Sequence, residues 1–169
     1  KNGCKVISLS LGTPVFPGQA YDIAYERAAR FARSNGAVLV AAAGNQSNRS
    51  RDRYSPVASP ADCPSILAVA ALDENLTIAT FSNREINPSG KVDIAGPGVD
   101  IHSAWPMPER YRTLSGTSMA TPHVAGILAF LFEKHPNATP TEIEQELAKL
   151  AKHLPIAAKD AGAGLCIAP

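Results

Sequence analysis

The residues with the most chemical potential fall in one uninterrupted stretch, Leu114-Ser115-Gly116-Thr117-Ser118-Met119-Ala120-Thr121-Pro122-His123-Val124-Ala125-Gly126. Apolar residues from Ala120 to Leu131 predict a helix over 118–134, which puts Ser118 at its N-terminus. Unpaired N–H groups and the helix dipole favour developing negative charge there. A hydroxyl at that point can attack a carbonyl whose oxygen becomes an oxyanion. Gly116 permits close backbone approach just before the helix. Serine and threonine are also common helix caps, and a lone serine here reads as a cap; the length of the string weighs the other way. His123 lies five residues along the same helix, on a different face, and cannot meet the Ser118 hydroxyl. A second polar group closes the apolar run Ala41-Ala42-Ala43-Gly44-Asn45, where an asparagine is ordinarily a turn residue.

The string from Gly116 to Gly126 resembles the nucleophile signature of the subtilisin-like serine proteases, the subtilases. The resemblance implies that Ser118 is the nucleophile, its N–H one oxyanion donor, Met119 its backing and His123 structural. Ala41-Ala42-Ala43-Gly44-Asn45 resembles the family string that positions the oxyanion-hole asparagine, which implies the second donor is Asn45. Ser10-Leu11-Gly12 matches the family's edge segment, to which an extended substrate adds as a strand. Together with Ala43 and Gly44 it resembles the wall of the pocket for the residue before the scissile bond. Gly12 and Gly44 would let a peptide backbone lie close.

Tyr54-Ser55-Pro56, Thr80-Phe81-Ser82-Asn83, Asp93-Ile94-Ala95-Gly96-Pro97-Gly98 and Gly162-Ala163-Gly164-Leu165 look like further landmarks of the family. The similarity therefore runs almost end to end, with Tyr54-Ser55-Pro56 and Ala120-Thr121-Pro122-His123 leaning toward the proteinase K branch. No cofactor is implied for catalysis. In that branch two backbone carbonyls and one aspartate hold a structural calcium ion, and the matching positions are Pro64, Ile66 and Asp93. A single carboxylate is a weak signal for a hard cation, and Asp93 as a structural hydrogen-bonder is the alternative.

Subtilases present their triad in the chain order Asp, His, Ser. The four histidines are His102, His123, His135 and His153, and none precedes Ser10-Leu11-Gly12. Without a base the Ser118 hydroxyl stays protonated and is a poor nucleophile at neutral pH. Residues 1–169 are thus expected to be the C-terminal part of a single catalytic domain, the upstream part with the Asp and His being absent. The expected parent is a serine endopeptidase that hydrolyses protein or peptide substrates through an acyl-enzyme, and the chain alone is expected to be inert. A non-catalytic pseudoprotease or peptide-binding module that keeps the cleft is one rival. A regulatory fragment that binds the rest of its own enzyme is another. The residues upstream of Lys1 separate the first rival from the leading reading.

The elements that must position these groups read as α/β: a three-layer subtilisin-like fold with a mostly parallel sheet between helices, truncated at the N-terminus. A strand over 6–11, a helix over 19–34 with Ala20, Ala24, Ala28 and Phe31 inward, and a two-sided apolar strand over 37–43 form a βαβ unit. A polar loop over 44–65 and strands over 66–72 and 92–95 follow. The 118–134 helix, apolar on nearly all sides, is expected at the centre of the domain. Thr139-Pro140-Thr141-Glu142 is a capping box opening a surface helix whose inner face is Ile143, Leu147 and Leu150.

A length of 169 residues suits one domain. Lysine plus arginine number 16 against 15 acidic residues, interspersed along the chain, which is no footprint for nucleic acid or an anionic membrane. No apolar stretch reaches membrane-spanning length. Three cysteines leave their pairing open. Arg49, Arg51 and Arg53 flank the expected pocket and either favour an acidic substrate residue or are solvated loop charges. Secretion is expected by family habit alone.

Overall fold

The computed structural model describes residues 3–169. Four strands pair in parallel in the order β1 (Val6–Leu9), β2 (Val38–Ala42), β3 (Leu67–Leu72) and β4 (Ile94–Pro97). Val6 stands opposite Val38, Val40 opposite Leu67, and Val69 opposite Ile94. Helix α1 (Ile23–Ser34) connects β1 to β2, so the expected βαβ unit is present.

Side chains alternate across a strand, so an unbroken apolar run requires cover on both faces. That cover exists. Val38, Val40, Val69, Ala71 and Ile94 pack toward α2 (Thr117–Lys134) and α3 (Pro140–Leu150). Leu39, Ala41, Ala68, Ala70, Leu72 and Ala95 share the other cluster with Ala29 of α1 and Ala161 of the short α4 (Ala158–Ala161). Cys63 and Cys166 are free thiols buried in these two clusters, and Cys4 is an exposed one. Burial pushes the Cys63 thiol up to about 12 and Cys166 to about 11, as for inert core thiols.

Three features differ from the sequence expectation. Helix α1 begins at Ile23 rather than Gln19, because Asp22 caps it by accepting the Ala24 N–H at 2.7 Å. Its inner face is not Ala20, Ala24, Ala28 and Phe31: Phe31 is 72% exposed, and Glu26 and Ala29 are the buried pair. Glu26 can lie inside because its carboxylate accepts from Arg30 at 2.6 Å, the Ser65 hydroxyl at 2.8 Å and the Ser65 N–H at 3.1 Å. Apolar periodicity cannot register a satisfied buried carboxylate.

Helix α2 is not buried all round. Ala120, Val124, Leu128 and Leu131 are fully buried, whereas Pro122, His123, Gly126, Ala129 and Phe130 are exposed. Among the described residues, neighbouring β1 lies at the end of the sheet with one partner strand. The third difference is an antiparallel hairpin, β5 (Ile101–Ala104) with β6 (Tyr111–Leu114), absent from the sequence reading. Nearly all of it is exposed, so neither strand carries an apolar alternation to read.

Thr139 and Glu142 form both arms of the predicted capping box, and Ile143 and Leu147 face inward. No helix among the described residues is long and apolar enough to cross a membrane.

Candidate active site

Beyond β2, the Ala43 N–H donates to the Val69 carbonyl at 3.0 Å and the Ala43 carbonyl accepts the Ala58 N–H at 2.9 Å. Gly44 then turns with φ +105, a left-handed value that strains any side chain, and a Cβ there would run into the Asn83 amide. The turn delivers Asn45 to the surface.

Across the sheet edge, Thr117 opens α2 and is fully buried. The Asn45 Oδ1 accepts both the Thr117 N–H and the Thr117 hydroxyl, each at 2.9 Å. The same hydroxyl oxygen accepts the Gly44 N–H at 3.1 Å. A backbone N–H only donates, so the oxygen of the Asn45 amide must face Thr117 and its Nδ2 must turn away. A Cβ on Gly116 would lie 3.4 Å from that Nδ2, which brings the amide beside the turn leading to Ser118. Ser118 is half-buried. Its N–H belongs to the first turn of α2, which has no intrahelical acceptors. Its hydroxyl makes no hydrogen bond among the described residues.

Asn83, 1% exposed, holds the loop beyond Asn45. Its Oδ1 accepts the N–H groups of Gln46 and Ser47 at 2.9 and 3.0 Å, and its Nδ2 donates to the Pro56 carbonyl at 2.8 Å. In the sequence Asn83 stands out only as the last residue of Thr80-Phe81-Ser82-Asn83. Its neighbours at 46, 47 and 56 are distant in sequence, so no local signal marks this role.

Ser10, Leu11 and Gly12 continue past β1 as exposed chain without ladder partners, and Thr13 then bridges Ser59 by reciprocal bonds of 2.8 and 3.0 Å. A Cβ on Gly12 would sit 3.0 Å from the Ser59 carbonyl oxygen and 3.4 Å from the Ala58 Cβ. Ala58 and Ser59 therefore face the segment directly, a pairing that sequence reasoning missed because both lie in an irregular loop. Ala43 and Gly44, expected as pocket walls, are buried; Ala43 is 0% exposed and sits behind the open surface as part of the core.

His123 Nδ1 lies 2.9 Å from the Met119 carbonyl, an acceptor, so that nitrogen carries its proton and the ring is tied to its own helix. His102 stacks on Tyr111 with ring centroids 5.5 Å apart. His102, His123 and Ser118 nevertheless line one cavity of about 340 Å³ with Met119 and Pro122. His102 reaches it on β5, in the exposed hairpin that carries no apolar alternation. Among the described residues no histidine hydrogen-bonds Ser118.

Arg49 is not a free pocket charge. It pairs with Asp160 at 2.6 Å, and Arg84 takes the other Asp160 oxygen at 2.6 Å. Both guanidinium groups lie over the Tyr54 ring, at 5.5 and 4.4 Å from its centroid. This cluster fastens the 44–65 loop to the C-terminal region, while Arg51 and Arg53 stay exposed.

Asp93, the one carboxylate of the expected calcium position, is already engaged. Lys91 Nζ lies 2.7 Å from its Oδ1, and the Ala68 N–H donates to its Oδ2 at 2.8 Å. Burial pushes the Asp93 carboxyl above the usual range, against the opposing pull of Lys91 and Ala68. Calcium takes six to eight oxygen ligands, and an ammonium beside its only carboxylate does not fit that requirement.

A parallel sheet covered by helices on both faces thus places Ser118 in the first turn of α2 and the Asn45 amide, facing outward, beyond β2. A family model described as the subtilase family matches residues 1–164, and the chain belongs to that family. It is similar to subtilisin DY of Bacillus licheniformis, 35% identical over 154 residues covering 91% of this chain and 52% of that protein. Subtilisin BL of Lederbergia lenta is 37% identical over 153 residues, covering 90% of this chain and 51% of that one. The solved structure of sphericase superposes with a TM-score of 0.80 at 30% identity, covering 95% of this chain and 56% of the other. The chain spans about half the length of these relatives.

Proposed function

We propose that this chain supplies the nucleophile and both oxyanion donors of a serine endopeptidase. The observation that carries the reading is the pair of hydrogen bonds that Thr117 donates to the Asn45 Oδ1, which turns the Asn45 Nδ2 outward beside Ser118. In this reading the Ser118 Oγ attacks a substrate carbonyl and yields its proton to a base, while the Asn45 Nδ2 and the Ser118 N–H stabilise the oxyanion. The base then protonates the departing amine as the C–N bond breaks, and water releases the acyl group from Ser118. The substrate is an extended protein or peptide segment, laid along the unpaired backbone of Ser10, Leu11 and Gly12.

The general base and its aspartate come from outside these 169 residues, on an N-terminal part of the same catalytic domain. The exposed apolar face of α2 at Pro122, Gly126, Ala129 and Phe130, next to the one-sided strand β1, supports a partner segment at that place. The chain by itself is inert or nearly so. Export from the cell follows the family's subtilisins.

A fluorophosphonate probe tests this reading. The full-length protein is expected to be labelled at Ser118 and its Ser118→Ala variant not at all. A full-length protein that binds peptides yet resists the probe would favour the pseudoprotease reading, and labelling of residues 1–169 alone at the full-length rate would contradict the need for an outside base.

A further inference from the structure

We propose that the cation at the Asp93 position is the chain's own Lys91 ammonium, so that the full-length protein holds no calcium there. The inference concerns stability and stands apart from the catalytic reading. The Asp93 side chain is only 10% exposed, and a buried carboxylate requires a partner. Lys91 supplies it at 2.7 Å on Oδ1, and the Ala68 N–H at 2.8 Å fills Oδ2. Both oxygens thus carry donors, and a second cation in contact with the carboxylate meets the repulsion of the ammonium.

The surroundings support this assignment. A cavity of about 450 Å³ beside the pair is lined by two further carboxylates, Glu85 and Glu144. Glu144 is taken up by Arg33, which holds both of its oxygens. Asp93 is taken up by Lys91, which leaves the exposed Glu85 as the remaining uncompensated carboxylate of the three. One exposed glutamate is not a calcium site. Lys91 reaches Asp93 with most of its stem in water, its side chain 64% exposed, so the positive charge arrives without burying the lysine.

Calorimetric calcium titration of the chelated full-length protein tests the inference. Wild type and Asp93→Asn are expected to bind the same number of calcium ions, and the loss of one ion in Asp93→Asn overturns the proposal. Should Asp93→Asn fail to fold, Lys91→Ala decides. Removing the ammonium leaves the buried carboxylate without its cation, so its Tm in EDTA is expected about 2–4 °C below wild type. Equal Tm values in EDTA overturn the proposal.

Discussion

The Asn45 Oδ1 accepts two hydrogen bonds from Thr117, a residue 72 positions later in the chain, and this one contact sets the direction of the Asn45 amide. The exposed Nδ2 is left to donate elsewhere. Thr117 therefore acts on Asn45 as a positioning residue, through both its N–H and its hydroxyl.

Asn45→Asp should abolish donation while preserving shape, because an ionised carboxylate only accepts. In the full-length protein kcat is expected to fall by about 10²–10³ with KM little changed, a magnitude taken from subtilisin itself rather than from this structure. Thr117→Val keeps the backbone bond and removes the hydroxyl, so it should cost less, about tenfold in kcat. Steady-state kinetics on a peptide substrate checks both. A Thr117→Val loss confined to KM would contradict the positioning role.

Asn83→Ala should be among the more damaging single substitutions outside the serine. It strips the acceptor from the Gln46 and Ser47 N–H groups and the donor from the Pro56 carbonyl, all at a fully buried position. Stranded buried polar groups of this kind give an expected loss of about 2–4 kcal/mol. Urea unfolding of the full-length protein, read as a lower midpoint at unchanged slope, measures it.

Glu26 predicts an acid-side loss of stability. Burial is the largest influence on it and disfavours the charge, but hydrogen bonds from Arg30 and Ser65 together outweigh it and hold the carboxyl below its ordinary value of 4.5. The unfolded chain therefore takes up this proton more readily than the folded one. The stabilisation is present above the unfolded pKa and is lost as pH falls through the folded one. Glu26→Gln should be less stable than wild type at pH 7, and the difference should shrink as the pH is lowered below 4.5. Urea midpoints followed from neutral to acid pH give the comparison; a difference that stays constant would remove Glu26 from the account.

Much of this architecture was legible because its signals are local. The apolar run through β2 demanded cover on both faces, and the capping box at Thr139 and Glu142 opened α3 as written. The string around Ser118 marked both a helix start and a family. Local signals failed where a polar group takes a buried place through a distant partner. Glu26 displaced the expected alanine face of α1 because Ser65 satisfies it, and Arg49 left the pocket because Asp160 holds it.

The sequence by itself determined the elements, the parallel layering and the two side chains around which the chemistry is proposed. Only the tertiary structure decided which way the Asn45 amide points and that Ala58 and Ser59 face the Ser10–Gly12 segment. The physical reason is the same in each case. Orientation and charge compensation depend on partners that chain folding brings together, and hydrogen bonds between residues dozens of positions apart leave no periodicity along the sequence.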